Sequence, residues 1–264
     1  MVTKEFLIAE FKKLGLVPGM EVLVHSSLSS FGYVEGGADS VIDALLTCLG
    51  PEGTLMMPSF NHGDFVVDGI VFDVHKTPSK SGKITDTFWR RDGVYRSLAA
   101  THPFAAAGKN AVAFLENHAE TSPMGVGSPI DLLRRAGGYV LLLGVNYTTN
   151  SFHHHVEELE GAPCIPLSEP YPIKGYDGGI VYASPWRWRA SACPYTDTDL
   201  LQKYTSAYTA DVDAVAQTAY IGDAFCRLYK MDDVYPLIAD YLQKGRNGFP
   251  PCKYCTIRPM RNWY

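Results

Sequence analysis

Residues 139–159 read YVLLLGVNYTTNSFHHHVEEL and join the clearest strand signal in the chain to a dense group of ionisable side chains. Residues 139–145 are an almost continuous apolar run, interrupted only by Gly144 near its end, and this predicts a buried strand. A polar loop follows, and Ser151, a residue type that favours the N-cap, marks the predicted start of a helix. Because ligands of open α/β sheets bind beyond the carboxyl ends of the strands, we expect a functional site here.

His154 and Glu157 are the first candidates for chemistry in this helix. They lie three residues apart and therefore share one helix face. A histidine can take up a proton near neutral pH, and a neighbouring carboxylate can orient its ring and stabilise the imidazolium. His155 and Glu158 have the same spacing and compete for the role. A helix start with solvated charges would give the same pattern, so spacing alone leaves all three interpretations open.

Toward the N-terminus, the sequence alternates helices and strands. Apolar residues at helical spacing predict a helix at 3–15, and short apolar runs predict buried strands at 21–25 and 53–58, on either side of a helix at 39–49. This order predicts a parallel sheet that is covered by helices. We therefore expect a single α/β domain over residues 1–264.

The remaining elements are less regular. Residues 60–100 form a long excursion, and residues 163–195 alternate aromatic and turn residues, which is typical of antiparallel strands. Helices are expected near 86–91 and at 105–117, 130–135, 197–208 and 232–243. The tail from about residue 245 contains Pro, Gly and Cys and is expected to be irregular.

Composition and charge argue against several functional classes. The net charge of −5 disfavours binding to nucleic acid or anionic membranes, because both need a basic face. The N-terminus lacks the pattern of a secretory signal, and no apolar run approaches the roughly 18 residues of a membrane span, so we expect a soluble, cytoplasmic protein. The cysteines follow no framework spacing and are expected to be free thiols: Cys48, Cys164, Cys193, Cys226, Cys252 and Cys255.

A second polar stretch, formed by His25, Ser26, Ser27 and Leu28, follows the first predicted strand. Its hydroxyl and backbone N–H groups can hold a carbonyl or a pantetheine chain. Serine clusters at strand ends are also common in ordinary turns. This stretch is therefore a candidate ligand loop only in combination with other motifs.

Two further motifs also admit two interpretations. Gly125, Gly127 and Ser128 precede a predicted helix and can form an anion cradle or a simple turn with an N-cap. His102 is held extended by Pro103 and can line a site or hydrogen-bond within its own loop.

Metal and hydrolase chemistry have little support in the sequence. The three consecutive histidines and the Cys252-x-x-Cys255 pair supply ligand types, but a second C-x-x-C and an H-E-x-x-H motif are absent. We therefore expect no metal. The G-x-S-x-G motif of α/β-hydrolases is absent as well.

Taken together, these stretches resemble the aminoglycoside 3-N-acetyltransferase family over roughly residues 3–240. An ungapped count from Gly144 places the family's hydroxyl residue and H-x-x-E pattern at Ser151, His154 and Glu157, and His153 and His155 fall outside it. The other matching motifs are V-H-S-S-L…G…G-G-A at 24–38, G-T-L-M-x-P at 53–58, T-P-S-x-x-G at 77–82, R-S…H-P at 96–103 and G-x-G-S-P at 125–129.

The resemblance implies the family's fold, an α/β/α sandwich with a mostly parallel central sheet and a smaller antiparallel region. It also implies acetyl-CoA or another acyl-CoA as donor and the amino group of an aminoglycoside or amino sugar as acceptor. His154 would then be the general base, supported by Glu157, in a direct transfer within a ternary complex. No covalent acyl-enzyme is required.

The same resemblance assigns ligand contacts. Backbone N–H groups at 26–28 are candidates to stabilise the oxyanion. Contacts with CoA are assigned to His25, Ser26, Ser27, Leu28, His102, Gly125, Gly127 and Ser128. Contacts with the acceptor are assigned to Thr149, Asn150, Ser151 and Glu158.

The His-rich stretch 151–155 and the aromatic segment 163–194 depart from the family pattern. They leave the acceptor open between an aminoglycoside and a nucleotide-linked amino sugar of surface-polysaccharide synthesis, with an acyl group that can be longer than acetyl. A non-catalytic CoA or sugar-phosphate binder and a zinc-dependent enzyme that uses the histidines are alternatives from other classes. A homodimer is one option for the assembly.

Overall fold

The computed structural model describes residues 1–61, 69–160, 167–186 and 209–243. Within these ranges the strands form a seven-stranded sheet and a separate three-stranded sheet. The strands are β1 Glu21–Ser26, β2 Thr54–Pro58, β3 Phe72–Asp73, β4 Tyr95–Arg96, β5 Phe104–Gly108, β6 Tyr139–Leu143, β7 Tyr171–Lys174, β8 Ile180–Ala183, β9 Gln217–Ile221 and β10 Ala224–Lys230. The helices are α1 Lys4–Leu14, α2 Gly37–Leu49, α3 Lys83–Phe88, α4 Ala111–Leu115, α5 Pro129–Arg135, α6 Ser151–Leu159 and α7 Met231–Gln243.

The large sheet has the strand order β4-β5-β2-β1-β6-β10-β9. Its three central strands are parallel, because β1 pairs in parallel with both β2 and β6. The strands outside them pair in antiparallel fashion. The predicted parallel core is therefore confirmed, and antiparallel strands extend it on both sides.

Alternating side chains of the central strands feed two separate apolar cores. In β1, Val22 and Val24 pack in one core and Leu23 in the other, as the two-residue period of a strand requires. Residues of α1, α2 and α3 complete the first core, and residues of α4, α5, α6 and α7 complete the second. Helices thus cover both faces of the sheet, which confirms the predicted α/β/α sandwich.

The carboxyl ends of β1 and β6 meet at one edge of the sheet. Ser26 lies opposite Leu143 in the parallel register, and the Ser27 N–H donates to the Leu143 carbonyl at 2.9 Å. The chain leaving β6 makes a 3₁₀ turn at Tyr147–Thr149 and then enters α6. The two polar stretches that the sequence singles out are therefore neighbours in space.

The three-stranded sheet has the order β3-β7-β8, with β7 and β8 antiparallel and β3 parallel to β7. This confirms antiparallel strands within the predicted segment 163–195. Cys48 and Cys226 are buried free thiols, as predicted. Predictions for 163–166, 187–195, 197–208 and the tail from about residue 245 lie outside the described residues, as do Cys164, Cys193, Cys252 and Cys255.

The helix predicted at 105–117 is wrong in its first half. Phe104–Gly108 is instead strand β5, which pairs antiparallel with β2, and the helix is limited to Ala111–Leu115. Three consecutive alanines favour a helix locally, but pairing with a buried strand outweighs that propensity. The helix expected at 86–91 lies earlier, at Lys83–Phe88.

The β9–β10 hairpin, which pairs with β6 through β10, is not among the predicted elements. Among the described residues, no helix combines the length and apolar character that a membrane crossing needs.

Candidate active site

The N-cap of helix α6 lies one residue earlier than predicted. Asn150, not Ser151, is the N-cap, and its side-chain oxygen accepts a hydrogen bond from the Phe152 N–H at 3.2 Å. The Asn150 amide also donates to the Tyr229 hydroxyl at 2.7 Å. Asn150 is buried and tied to β10, so it fixes the start of α6 from the interior of the protein.

His25 connects the end of β1 to the start of α6. Its Nε2 accepts the Ser151 N–H at 3.3 Å and lies 3.1 Å from the Ser151 hydroxyl. Burial, with a smaller contribution from His154, lowers the pKa of His25 to about 3, so the ring is neutral. The structure thus places His25 and Ser151 behind the site surface, where they hold α6 against the sheet.

The three consecutive histidines differ sharply in exposure. The side chain of His154 is 24% exposed, whereas those of His153 and His155 are 2% and 0% exposed. His154 Nδ1 lies 2.8 Å from Glu157 Oε2, which is the predicted pairing. Only His154 of the three can therefore meet a substrate.

The competing pair of His155 and Glu158 does not form. His155 Nδ1 donates to the Met124 carbonyl at 2.6 Å, and burial lowers the pKa of this ring. Glu158 instead bonds Ser122 and the Trp186 indole N–H, the latter at 3.1 Å. Although both pairs have the same spacing, the orientation of α6 points only the first of them toward the site.

Glu157 is a fully buried carboxylate between two imidazoles. Its Oε1 lies 2.6 Å from His153 Nε2, and its Oε2 lies 2.8 Å from His154 Nδ1. Burial alone would raise the pKa of Glu157, but the charges and hydrogen bonds of His153 and His154 outweigh burial and lower it. Glu157 is therefore ionised at neutral pH; it accepts a hydrogen bond from His154 and lies in close polar contact with His153.

Glu158 has the opposite electrostatic setting. Burial raises its pKa, and hydrogen bonds from Ser122, Trp186 and the Met124 backbone only partly offset this effect. Trp186, which sequence analysis did not assign to the site, packs edge-on to His154 with the ring centroids 5.5 Å apart. The one sign of this in the sequence was that Trp186 lies in the aromatic segment, which departs from the family pattern.

His102 lies on the other side of Trp186. Its ring centroid is 5.4 Å from that of Trp186 and 4.8 Å from that of Phe60, and its Nδ1 bonds the Thr101 hydroxyl at 2.6 Å. His102, the histidine of the H-P motif, and His154 therefore both contact Trp186.

The turn that contains Gly125, Gly127 and Ser128 lies beside Glu158. A side chain at Gly125 would collide with the Glu158 carboxylate and the Ser122 hydroxyl. Ser128 is the buried N-cap of α5, as the alternative interpretation of this motif predicts. Thr149 is exposed in the 3₁₀ turn before α6.

A cleft of about 560 Å³ opens beside the carboxyl end of β1. The buried hydroxyl of Ser26 on its wall has no hydrogen-bonding partner among the described residues. The lining residues are Ser26, Ser27, Leu28, Ser29, Gly32, Tyr33, Val34, Gly37, Gly82 and Lys83. The predicted ligand loop therefore borders a cavity.

No group of three or more His, Cys, Asp and Glu side chains within the described ranges is arranged to hold a metal ion. The site is therefore built from one partly exposed histidine, two carboxyl groups whose pKa values are shifted in opposite directions, an indole and a polar cleft.

The sequence model of the aminoglycoside 3-N-acetyltransferase family matches residues 23–243. The chain belongs to this family. The membership confirms the predicted family and its enzyme class, the N-acyltransferases.

Two relatives illustrate the range of similarity to other family members. Aminoglycoside N(3)-acetyltransferase IV from Salmonella sp is 38% identical over 164 residues, which cover 61% of this chain and 60% of that relative. The SPbeta prophage-derived aminoglycoside N(3')-acetyltransferase-like protein YokD of Bacillus subtilis (strain 168) is 29% identical over 251 residues, or 88% and 89% of the two chains. The first match thus spans less than two thirds of its relative, and the second spans most of it.

Solved structures of family members share the fold. A mutant of aminoglycoside acetyltransferase AAC(3)-IVa in complex with a gentamicin has a TM-score of 0.75 at 29% identity, over 94% of this chain and 91% of that one. AAC-IIIb with CoASH has a TM-score of 0.78 at 23% identity, over 92% and 97% of the chains, and at this identity it supports the fold alone.

The buried histidines give a testable pH dependence of stability. Burial lowers the pKa of His25 to about 3 and that of His118 to about 4, from 6.5. Below pH 6.5 the unfolded chain binds more protons, so the free energy of unfolding should fall by up to about 1.4 kcal/mol per pH unit for each histidine. Glu158, whose pKa is raised, acts in the opposite direction, but it is a single group.

Urea unfolding at about pH 7 and about pH 5 measures this loss, and His118→Asn should make it smaller. Equal stability at the two pH values would show that these rings are not buried in the neutral form.

Proposed function

We propose that this chain transfers an acetyl group from acetyl-CoA to an amino group of an aminoglycoside, with His154 as general base. The observation that carries the proposal is the single partly exposed histidine, paired with the buried, ionised Glu157 at the carboxyl edge of the sheet. This arrangement is suited to take up a proton at the site surface and to stabilise the resulting imidazolium.

His154 has the tautomer that this role needs. Glu157 only accepts hydrogen bonds, so His154 Nδ1 carries a hydrogen and the basic lone pair lies on Nε2. An amine acceptor is an ammonium at neutral pH and must lose a proton to become a nucleophile. One proton of the ammonium passes to solvent, and His154 Nε2 takes the second as the nitrogen attacks the thioester carbonyl. The amide C–N bond forms, the thioester C–S bond breaks, and the imidazolium, which lies against the Glu157 carboxylate, gives its proton to the departing CoA thiolate.

The cleft beside β1 is the proposed site of the donor. Acetyl-CoA supplies an activated thioester carbonyl. The exposed hydroxyls of Ser27 and Ser29 on the cleft wall can bond the pantetheine arm, and Lys83 at the cleft rim can attract the phosphates. The loop is anchored on β1, whose end is joined to α6 through His25 and Ser151.

Not every backbone N–H group on this loop is available to stabilise the oxyanion. The Ser27 N–H is already used, because it donates to the Leu143 carbonyl within the sheet. The amides of Leu28 and Ser29, which begin the 3₁₀ turn, are therefore the proposed donors to the thioester oxygen.

The acceptor is proposed to lie along Glu158, Trp186 and His102, with Thr149 at its edge. Glu158 is one turn beyond His154 on α6, and the Trp186 indole holds its carboxyl group. Aminoglycosides carry several ammonium groups, and one of them can pair with Glu158 while another meets His154. Cation binding would favour the ionised form of Glu158, which burial alone disfavours.

The experiment that tests the proposal follows release of the CoA thiol with a matrix of donors and acceptors. Acetyl-CoA and a longer acyl-CoA should be crossed with gentamicin and with nucleotide-linked amino sugars. We expect the highest kcat/KM for acetyl-CoA with an aminoglycoside. Preference for a nucleotide-linked amino sugar would overturn the acceptor, and CoA binding without thiol release would identify a non-catalytic binder.

Gly125→Ala should raise the KM for the acceptor by about 5–10-fold and leave the KM for acetyl-CoA close to that of the wild type. The added methyl group would displace the Glu158 carboxylate and the Ser122 hydroxyl, which lie next to Gly125. Steady-state kinetics with each substrate varied in turn measure the two constants. Val126→Ala, at the exposed neighbouring residue, is the matched control. If Gly125→Ala raised the KM for acetyl-CoA instead, this turn would belong to the CoA site, as the family resemblance implies.

A further inference from the structure

Glu157 has two histidine partners, although the family pattern includes only one of them. His153 precedes Glu157 by four residues and His154 precedes it by three, so both lie on the same helix face. His153 Nε2 lies 2.6 Å from Oε1, and His154 Nδ1 lies 2.8 Å from Oε2. The two rings are themselves in contact, edge to face, with centroids 5.8 Å apart.

Because His153 is buried, it cannot take a proton from a substrate, and its contact with Glu157 points to a supporting role. Its side chain is 2% exposed, and Glu157 is not exposed at all. A carboxylate in such a place stays ionised only when hydrogen-bond donors compensate for lost hydration. His154 bonds Oε2 of the carboxylate, and His153 Nε2 lies 2.6 Å from Oε1, within reach of a donated hydrogen.

We propose that His153 is a positioning residue, which holds Glu157 as an ionised and correctly oriented carboxylate so that His154 keeps its hydrogen on Nδ1. This inference rests on the proposed function of His154. During transfer, the acceptor's proton moves to His154 Nε2, Glu157 stays unprotonated, and His153 keeps the hydrogen that it donates. His153 therefore acts through Glu157 and never exchanges a proton with the substrate.

Replacing His153 separates this role from simple packing. His153→Leu fills similar space without a donor and should lower kcat about tenfold with the KM for acetyl-CoA unchanged. His153→Gln keeps an N–H at similar reach and should retain most of kcat. His155→Leu removes the other buried histidine, which bonds Met124 rather than Glu157, and should reduce stability but not kcat.

A double-mutant cycle tests whether the effect passes through Glu157. In the Glu157→Gln background, His153→Leu should cause no further loss of kcat, because the carboxylate that it supports is already gone. If His153→Leu lowered kcat in the Glu157→Gln background by the same factor as in the wild type, the proposal would be wrong. A folded His153→Leu variant with full kcat would also overturn it. If His153→Leu fails to fold, His153→Asn, whose amide is too short to reach Oε1, takes its place.

Nitrogen NMR of the His154 ring gives a readout that needs no substrate. The wild-type ring should show a protonated Nδ1 and an unprotonated Nε2, and His153→Leu should shift the ring toward a mixture of tautomers. An unchanged tautomer would overturn the role of His153 even if the acceptor proved different from an aminoglycoside. If the protein showed the expected tautomer change but no turnover, the proposed function would be contradicted and the role of His153 would stand.

Discussion

His154→Ala is expected to lower kcat/KM for the aminoglycoside by about 10²–10⁴-fold, the usual contribution of a general base. The reason is that His154 is the one member of the histidine run whose side chain reaches the site surface, with Glu157 behind it. Because the side chain is partly exposed, its truncation leaves no large core cavity, and the melting temperature should stay near that of the wild type. Thiol release and thermal unfolding measure the two quantities.

The matched control is His155→Ala in the same run. His155 is fully buried and donates to the Met124 carbonyl, so its loss should reduce stability and leave the turnover of the folded protein largely intact. Full turnover in His154→Ala would contradict the proposed base. Loss of turnover in a folded His155→Ala variant, with His154→Ala active, would move the base by one residue.

Glu157→Gln is expected to lower kcat by about 10²-fold with the KM for acetyl-CoA unchanged. The substitution keeps the size of the side chain but removes the negative charge that faces His153 and His154. The imidazolium that forms on His154 would then lose its counter-charge, and the amide could donate to a ring nitrogen and favour the wrong tautomer.

Glu158→Gln is the natural comparison, because Glu158 is the next residue on the same helix but bonds Ser122 and Trp186. It should raise the KM for the acceptor and change kcat much less than Glu157→Gln does. Equal losses of kcat for the two variants would show that Glu157 has no special relation to the base.

Local patterns in the sequence were sufficient for the elements that build the site. The apolar runs of β1, β2 and β6 and the helix after them are determined by residues close in sequence, and so is the spacing of His154 and Glu157. Choosing between this pair and His155 with Glu158 required the ungapped family pattern, since the rotation of α6 about its axis is set by packing against the sheet and α7.

Contacts between distant parts of the chain account for what could not be predicted. Strand β5 is alanine-rich, and its pairing with β2 on one side and β4 on the other holds it as a strand. The indole of Trp186 meets Glu158 across a separation of 28 residues, and His25 meets Ser151 across 126 residues. No local periodicity reports such contacts, so the polar motif around His25 was interpreted as a ligand loop as a whole, although His25 itself supports α6 from inside.

The most direct test of the account is product analysis by mass spectrometry after the wild-type enzyme has acted on acetyl-CoA and gentamicin. We expect one added acetyl group on the 3-amino nitrogen of the aminoglycoside and one thiol released for each acetyl group transferred. An unmodified aminoglycoside together with demonstrable CoA binding would contradict it, and so would an acetyl group that accumulates on the protein.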